Sequence, residues 1–169
     1  MAALFYFQPV NQVINQLKNM KKNVLLAPCM MALQVLHAQV KNPVQWSFTT
    51  KKINAKTVEL HLTATIEKGW HIYSQTTPEG GPVPTTVTLV TNPVLQLTGK
   101  IKELGKLEQH HEKLFGVDVK QFSGKVTFVL TVTKKAAVKT TIAGTIEFMA
   151  CNDHECLPPK KQDFSVKLP

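Results

Sequence analysis

No arginine occurs anywhere in the 169 residues; all 20 basic side chains are lysines. The chain therefore lacks the planar guanidinium fork that reads bases and clamps phosphates through two parallel bonds. Its formal charge of +9 would otherwise invite a nucleic-acid partner. The lysines scatter as singletons and pairs, mostly at positions that face solvent in the pattern described below. The charge thus reads as a solvated basic surface, and no nucleic acid is expected as a partner. Glycine is scarce too, with 8 residues and no glycine-rich phosphate loop, and no serine or cysteine is placed with a base as a hydrolase requires. Long apolar runs are also missing. The mostly apolar stretch Val24 to Leu36 is thirteen residues, short of the roughly 20 that cross a bilayer, and no stretch after Gln39 is long enough either.

That short run has another use. Met20-Lys21-Lys22 precedes it, Leu36-His37-Ala38 closes it, and Ala38 is a small residue before a cut at Gln39. Lysines, a brief apolar run and a small residue at the boundary make a secretory signal peptide. The expectation is that Met20 is the true start, that residues 1–38 comprise an upstream extension plus the signal, and that residues 39–169 are exported. Leu26-Ala27-Pro28-Cys29 resembles a lipoprotein cleavage site, but Pro28 is wrong before the cysteine and the apolar run continues past it, so no lipid anchor is expected. Residues 39–169 carry 17 lysines against 11 acids, a balance of +6. They form one ordinary domain, long enough to bury a core and soluble once the signal is removed.

Cysteine is scarce as well, with 3 in the chain. Cys29 leaves with the signal. Cys151 and Cys156 remain, with four residues between them, within Cys151-Asn152-Asp153-His154-Glu155-Cys156-Leu157-Pro158-Pro159. In an export compartment such a pair forms a disulfide unless something keeps it reduced. Three readings stand side by side. As a staple it closes a six-residue loop, worth on the order of 2 kcal/mol, which is little for a domain of this size. As a metal site, Cys151, His154 and Cys156 offer three ligands with His110 or His111 as a distant fourth, but the spacing departs from the two intervening residues of common zinc patterns. No metal or other cofactor is expected. As a redox switch, the pair follows Phe148 at the end of a strand, near a sheet edge that another protein's thiol can approach in line. Asp153 and Glu155 disfavour a thiolate there, while His154 and Lys160-Lys161 push the other way. The expected thiol is sluggish by itself.

Alternation by two runs through the exported part. In Thr57 to Glu67, Val58, Leu60, Leu62, Ala64 and Ile66 share one face. Val126, Phe128, Leu130 and Val132 do the same in Gly124 to Thr133, as do Ile142, Gly144, Ile146 and Phe148 in Thr140 to Met149. This is the period of strands that cover a core with one side. Shorter strands are expected at Val44–Thr50, Trp70–Gln75, Thr86–Val90, Lys100–Leu104 and Asp163–Leu168. Proline and glycine punctuation separates them at the spacing of a sandwich. The fold class is therefore all-β, an immunoglobulin-like antiparallel β-sandwich. Glu103 to Leu114 is weakly helical and contains Gly105; a loop or a single turn is expected.

Three segments carry a family resemblance: Gly69-Trp70-His71-Ile72-Tyr73-Ser74-Gln75, Leu114-Phe115-Gly116-Val117, and Cys151 to Pro159. With them, residues 43–169 resemble the N-terminal periplasmic domain of the thiol:disulfide interchange protein DsbD family. The resemblance implies an immunoglobulin-like domain that receives two electrons at Cys151-Cys156 and passes them to oxidised periplasmic proteins, thioredoxin-like partners such as disulfide isomerases and cytochrome c maturation thioredoxins. It implies that Cys156 enters the mixed disulfide and Cys151 resolves it. Glu112 to Gly116 would be a cap loop over the pair, with Leu114 or Phe115 covering the sulfurs, and Tyr73 and His71 would line the site. In that family the domain is joined to membrane segments and a thioredoxin-like domain. Here the electron donor is expected to be a separate membrane or thioredoxin-like protein, and the chain could act as a protein-disulfide reductase, a terminal acceptor or a sensor.

Plainer readings compete. Tyr73 and Trp70 could simply pack a core, His71 could be a solvated strand residue, and His110-His111-Glu112 a polar loop. Pro158-Pro159 ends the strand pairing and orients the last strand. The alternative function is an immunoglobulin-like binding module in which the disulfide is merely structural and an apolar or aromatic patch meets the partner.

Overall fold

The computed structural model describes residues 41–136 and 138–169. The upstream extension, the signal segment with Cys29 and the cut at Gln39 lie outside the described residues. Among the described residues every regular element is a strand: β1 (Val44–Lys52), β2 (Thr57–Ile66), β3 (His71–Tyr73), β4 (Thr86–Leu89), β5 (Leu95–Leu97), β6 (Lys102–Glu112), β7 (Val117–Lys134), β8 (Thr140–Phe148), β9 (Ala150–Cys151) and β10 (Lys160–Leu168). All pairings are antiparallel. One sheet runs β1-β2-β7-β3-β9, with β5 and β6 also on β7, and the other runs β10-β8-β4.

The alternation read from the sequence builds the core between these sheets. Val58, Leu60, Leu62, Ala64 and Ile66 of β2, Val126, Phe128, Leu130 and Val132 of β7, and Ile142, Ile146 and Phe148 of β8 are all buried in one cluster. Aromatic pairs tie the layers. Trp46 of β1 meets Phe148 of β8 edge-on with ring centroids 5.4 Å apart, and Phe48 of β1 meets Phe164 of β10 at 5.6 Å. Two antiparallel sheets packed face to face over interdigitated side chains form an immunoglobulin-like sandwich.

β7 is the spine, and an irregularity divides it. Gly105 of β6 stands opposite Val126 and Leu107 opposite Phe122, so Ser123, Gly124 and Lys125 bulge against Lys106 alone. Gly124 takes φ 70° there, a conformation that costs glycine nothing. Such bulges bend a strand and sharpen its twist. On its other edge β7 pairs with β3 through Ser123 and with β2 from Lys125 onward. Gly105 serves the close approach of the two strands: a Cβ on it would lie 3.0 Å from the Lys125 carbonyl oxygen and 3.2 Å from Phe122.

Two sequence expectations are corrected. Glu103 to Leu114 is not a loop or single turn, because β6 continues to Glu112 in register with β7. The segment reads as polar because β6 is hydrogen-bonded to β7 alone and most of its side chains face solvent. The strand expected over Trp70–Gln75 shrinks to His71–Tyr73. Beyond it the chain leaves the sheet, where the Ser74 hydroxyl and the Gln75 backbone N–H both donate to the Glu103 carboxylate at 2.7 and 2.8 Å.

Candidate functional site

β9 is the last strand of the larger sheet, and it carries Cys151. The chain then turns back so that Cys156 opposes Cys151 in a single antiparallel bridge. The Asn152 N–H donates to the Glu155 carbonyl and the Leu157 N–H to the Ala150 carbonyl, both at 2.9 Å. These bonds flank the cysteines and leave them as a non-hydrogen-bonded pair, the geometry in which opposed Cα atoms approach to about 4.5 Å. Here the Cα atoms are 4.1 Å apart and the sulfurs are bonded. Asn152 shapes the turn: its side-chain oxygen accepts the N–H groups of His154 and Glu155, each at 2.8 Å. An asparagine that caps its own turn in this way is an Asx turn. The two cysteines differ in exposure. Cys151 is fully buried, whereas Cys156 is only partly so.

Burial of Cys151 follows from the two faces of β3. Ile72 points into the main core, so by the alternation of a strand His71 and Tyr73 point to the opposite side of the sheet. All three are nevertheless buried. The far face must therefore be covered, and a second cluster covers it: Tyr73, Val119 and Cys151, with Val117, Met149 and Cys156 packed against them. His71 is the cross-strand partner of Cys151 on one side and of Ser123 on the other.

Glu112, the last residue of β6, reaches into this cluster. Its carboxylate accepts the Tyr73 hydroxyl hydrogen at 2.9 Å, and Nε2 of His71 lies 3.0 Å from the Tyr73 oxygen and 3.4 Å from Glu112. Because the hydroxyl has one hydrogen and spends it on Glu112, its oxygen accepts from His71, which fixes the proton on Nε2. His71, Tyr73 and Glu112 are 7%, 0% and 5% exposed. Burial pushes the His71 ring below its ordinary value, against the pull of the Glu112 charge and hydrogen bond; His110 adds to the lowering and Asp153 opposes it. Burial, then the hydrogen bond to Glu112 and its charge, raises the Tyr73 hydroxyl well above an ordinary phenol. Glu112 also holds the turn that follows. Its carbonyl accepts the N–H groups of Phe115 and Gly116 at 3.2 and 2.7 Å, and its carboxylate accepts that of Leu114 at 3.4 Å.

The profile of the family described as thiol:disulfide interchange protein DsbD, N-terminal, matches residues 38–168. The chain belongs to this family. Among solved structures the DsbD-like fold is similar to the N-terminal periplasmic domain of ScsB from Proteus mirabilis, at 17% identity and a TM-score of 0.54, covering 79% of this chain and 49% of that one. The chain thus spans about half of that structure. The reduced N-terminal domain of DsbD from Neisseria meningitidis aligns at 14% identity and a TM-score of 0.49, over 73% of this chain and 84% of that one. No curated protein matches the chain significantly.

Within this DsbD N-terminal domain, Cys151, Cys156, Tyr73, His71 and Glu112 converge as one group. His71 is buried, not a solvated strand residue, and Trp70 packs against the main core instead. Leu114 and Phe115 sit in the turn between β6 and β7 and are 52% and 37% exposed. Lys160 is engaged elsewhere, donating to Asn42 at 2.8 Å. Among the described residues no group of three or more histidines, cysteines and acids is arranged to hold a metal. Sequence reasoning missed Asn152, Val119 and Met149. An asparagine directly after a cysteine that must turn back was a readable signal for the first. Val117 and Val119, two apart after Gly116, were a readable apolar stripe for the second. Met149 had no such signal.

Proposed function

We propose that this chain is an exported thiol:disulfide interchange domain that carries two electrons through Cys151-Cys156. In the receiving half-reaction a donor thiolate attacks Sγ of Cys156, forming a mixed disulfide and releasing the Cys151 thiolate. The donor's second thiolate then attacks its own bridged sulfur and releases Cys156, leaving the domain as a dithiol and the donor as a disulfide. In the delivering half-reaction the Cys156 thiolate attacks an acceptor disulfide, and the Cys151 thiolate then attacks Cys156, which restores the domain's disulfide and frees the acceptor as a dithiol. Protons follow the thiolates to and from water.

The observation that carries this reading is the asymmetry of the pair. Cys156 is partly open while Cys151 is fully buried beside Tyr73. In-line attack at Cys156 then expels a sulfur that is held in place to return. The tip at 113–116, tied down by Glu112, acts as the shield of the pair in the resting state. A partner that pushes it aside gains access, and a stray disulfide does not. The location is the periplasm, reached through the signal at residues 20–38 with translation beginning at Met20. The acceptors are thioredoxin-like periplasmic proteins, and the donor is a membrane or thioredoxin-like electron carrier.

The test is mixed-disulfide trapping. A reduced Cys151→Ser variant mixed with an oxidised thioredoxin-like protein is expected to accumulate a covalent complex through Cys156. A Cys156→Ser variant is expected to form none. Equal trapping by both variants, or by neither, contradicts the assignment.

A further inference from the structure

Glu112 makes four contacts that join the tip to the site: the Tyr73 hydroxyl and the backbone N–H groups of Leu114, Phe115 and Gly116. His71 stands behind this tie, since its Nε2–H occupies the Tyr73 oxygen and keeps the hydroxyl hydrogen directed at Glu112. The strands beside His71 place uncharged partners in register, Ser123 of β7 and Cys151 of β9. The charged groups that reach it are Glu112 and His110 from β6 and Asp153 from the cysteine loop.

We propose that His71 is a positioning residue for the 113–116 turn, the neutral ring holding the turn down and the protonated ring releasing it. The inference rests on the reading of that turn as the shield of the disulfide. A neutral ring has one N–H to satisfy, on Nε2, and the Tyr73 oxygen accepts it. A second proton puts a cation into a position that is largely buried, and of the opposing influences on the ring its burial outweighs the attraction of Glu112. Lifting the turn withdraws Glu112 and admits water, so the ring of the open state titrates nearer the ordinary value of about 6.5. The open state then holds the proton more tightly than the closed one, and acid favours whichever state binds the proton. Above pH of about 7 the ring is neutral in both states and the closed turn keeps its full advantage. Between the open-state value and the lower closed-state value, each unit of acid raises the ratio of open to closed by up to about tenfold. Below both values the ratio levels off. Acid thus uncovers the pair, and neutral conditions keep it shielded.

Amide hydrogen exchange at Leu114, Phe115 and Gly116 in the oxidised full chain, followed from about pH 5 to 8 and corrected for intrinsic exchange, tests this. Protection is expected to be constant above about pH 7 and to fall by up to about tenfold per unit below about 6.5. In His71→Gln, which retains an N–H donor but does not titrate, the profile is expected to be flat. In His110→Gln and His154→Gln the slope is expected to persist. The ring resonances of His71 in the unmodified chain give a readout that needs no variant, and they are expected to titrate below the ordinary histidine value. Protection that stays level or rises in acid, a slope that survives in His71→Gln, or a ring that titrates at or above the ordinary value overturns the proposal. None of these readouts involves thiol exchange. They can therefore fail while mixed-disulfide trapping succeeds, and the reverse.

Discussion

The Tyr73 hydroxyl donates to the Glu112 carboxylate across 2.9 Å, joining residues 39 positions apart in the sequence. That bond fastens the turn between β6 and β7 to the strand beside the cysteines, and both its ends are buried. A buried carboxylate without its donors is costly, so the link has a measurable weight.

Tyr73→Phe removes the hydroxyl and leaves the Glu112 carboxylate buried without it. The expected loss is about 1.5–3 kcal/mol, the range for a hydrogen bond to a charged group, read from urea unfolding of the oxidised domain. Glu112→Gln keeps an acceptor for the hydroxyl and is expected to lose less.

The same environment holds the Tyr73 proton. Residues 39–169 contain no other tyrosine, the second of the chain being Tyr6, so absorbance near 295 nm reports Tyr73 alone in that segment. Its burial and the adjacent Glu112 raise the phenol above its ordinary value, and no ionisation is expected near pH 10, where a free tyrosine titrates. Ionisation is expected only together with unfolding, monitored in parallel by circular dichroism. A free titration at about 10 in the folded domain would contradict the buried pair.

How much of this was readable without coordinates differs by element. The inward faces of β2, β7 and β8 were legible because a period of two over eight or more residues has few rival explanations. β6 was not, because an edge strand that faces solvent lacks that period and Gly105 looks like an interruption. Its reason, close approach to Lys125 and Phe122, belongs to a partner strand. The cysteine loop was legible by composition. The unequal burial of its two cysteines was not, because it depends on Tyr73 and Val119 arriving from other strands. Glu112 was expected only through the family resemblance, as the start of a cap loop; its bond to Tyr73 was not legible, since nothing local pairs the two residues.

Gly105→Val tests the packing of β6 on the spine. The added side chain begins 3.0 Å from the Lys125 carbonyl oxygen and 3.2 Å from Val126. Overpacking of this kind costs about 1–3 kcal/mol, which chemical unfolding resolves, and the loss is expected to appear in the oxidised and the reduced domain alike.

Reduction of the disulfide is expected to leave the domain folded. Opening a six-residue loop gives back on the order of 2 kcal/mol at most, and the main core does not include the cysteines. In the folded dithiol, a small alkylating reagent under limiting conditions is expected to label Cys156 before Cys151, as peptide mapping would show, because Cys151 is fully buried.

The central claim is that Cys151-Cys156 exchanges and does not staple. Its most direct test is the equilibrium reduction potential of the pair in residues 39–169, titrated in a redox buffer with alkylation and mass spectrometry. The account predicts a value in the exchanging range of roughly −180 to −270 mV, with both thiols alkylated in the folded domain after reduction. A value below about −300 mV, with alkylation only after unfolding, would make the pair a staple and favour a binding module instead.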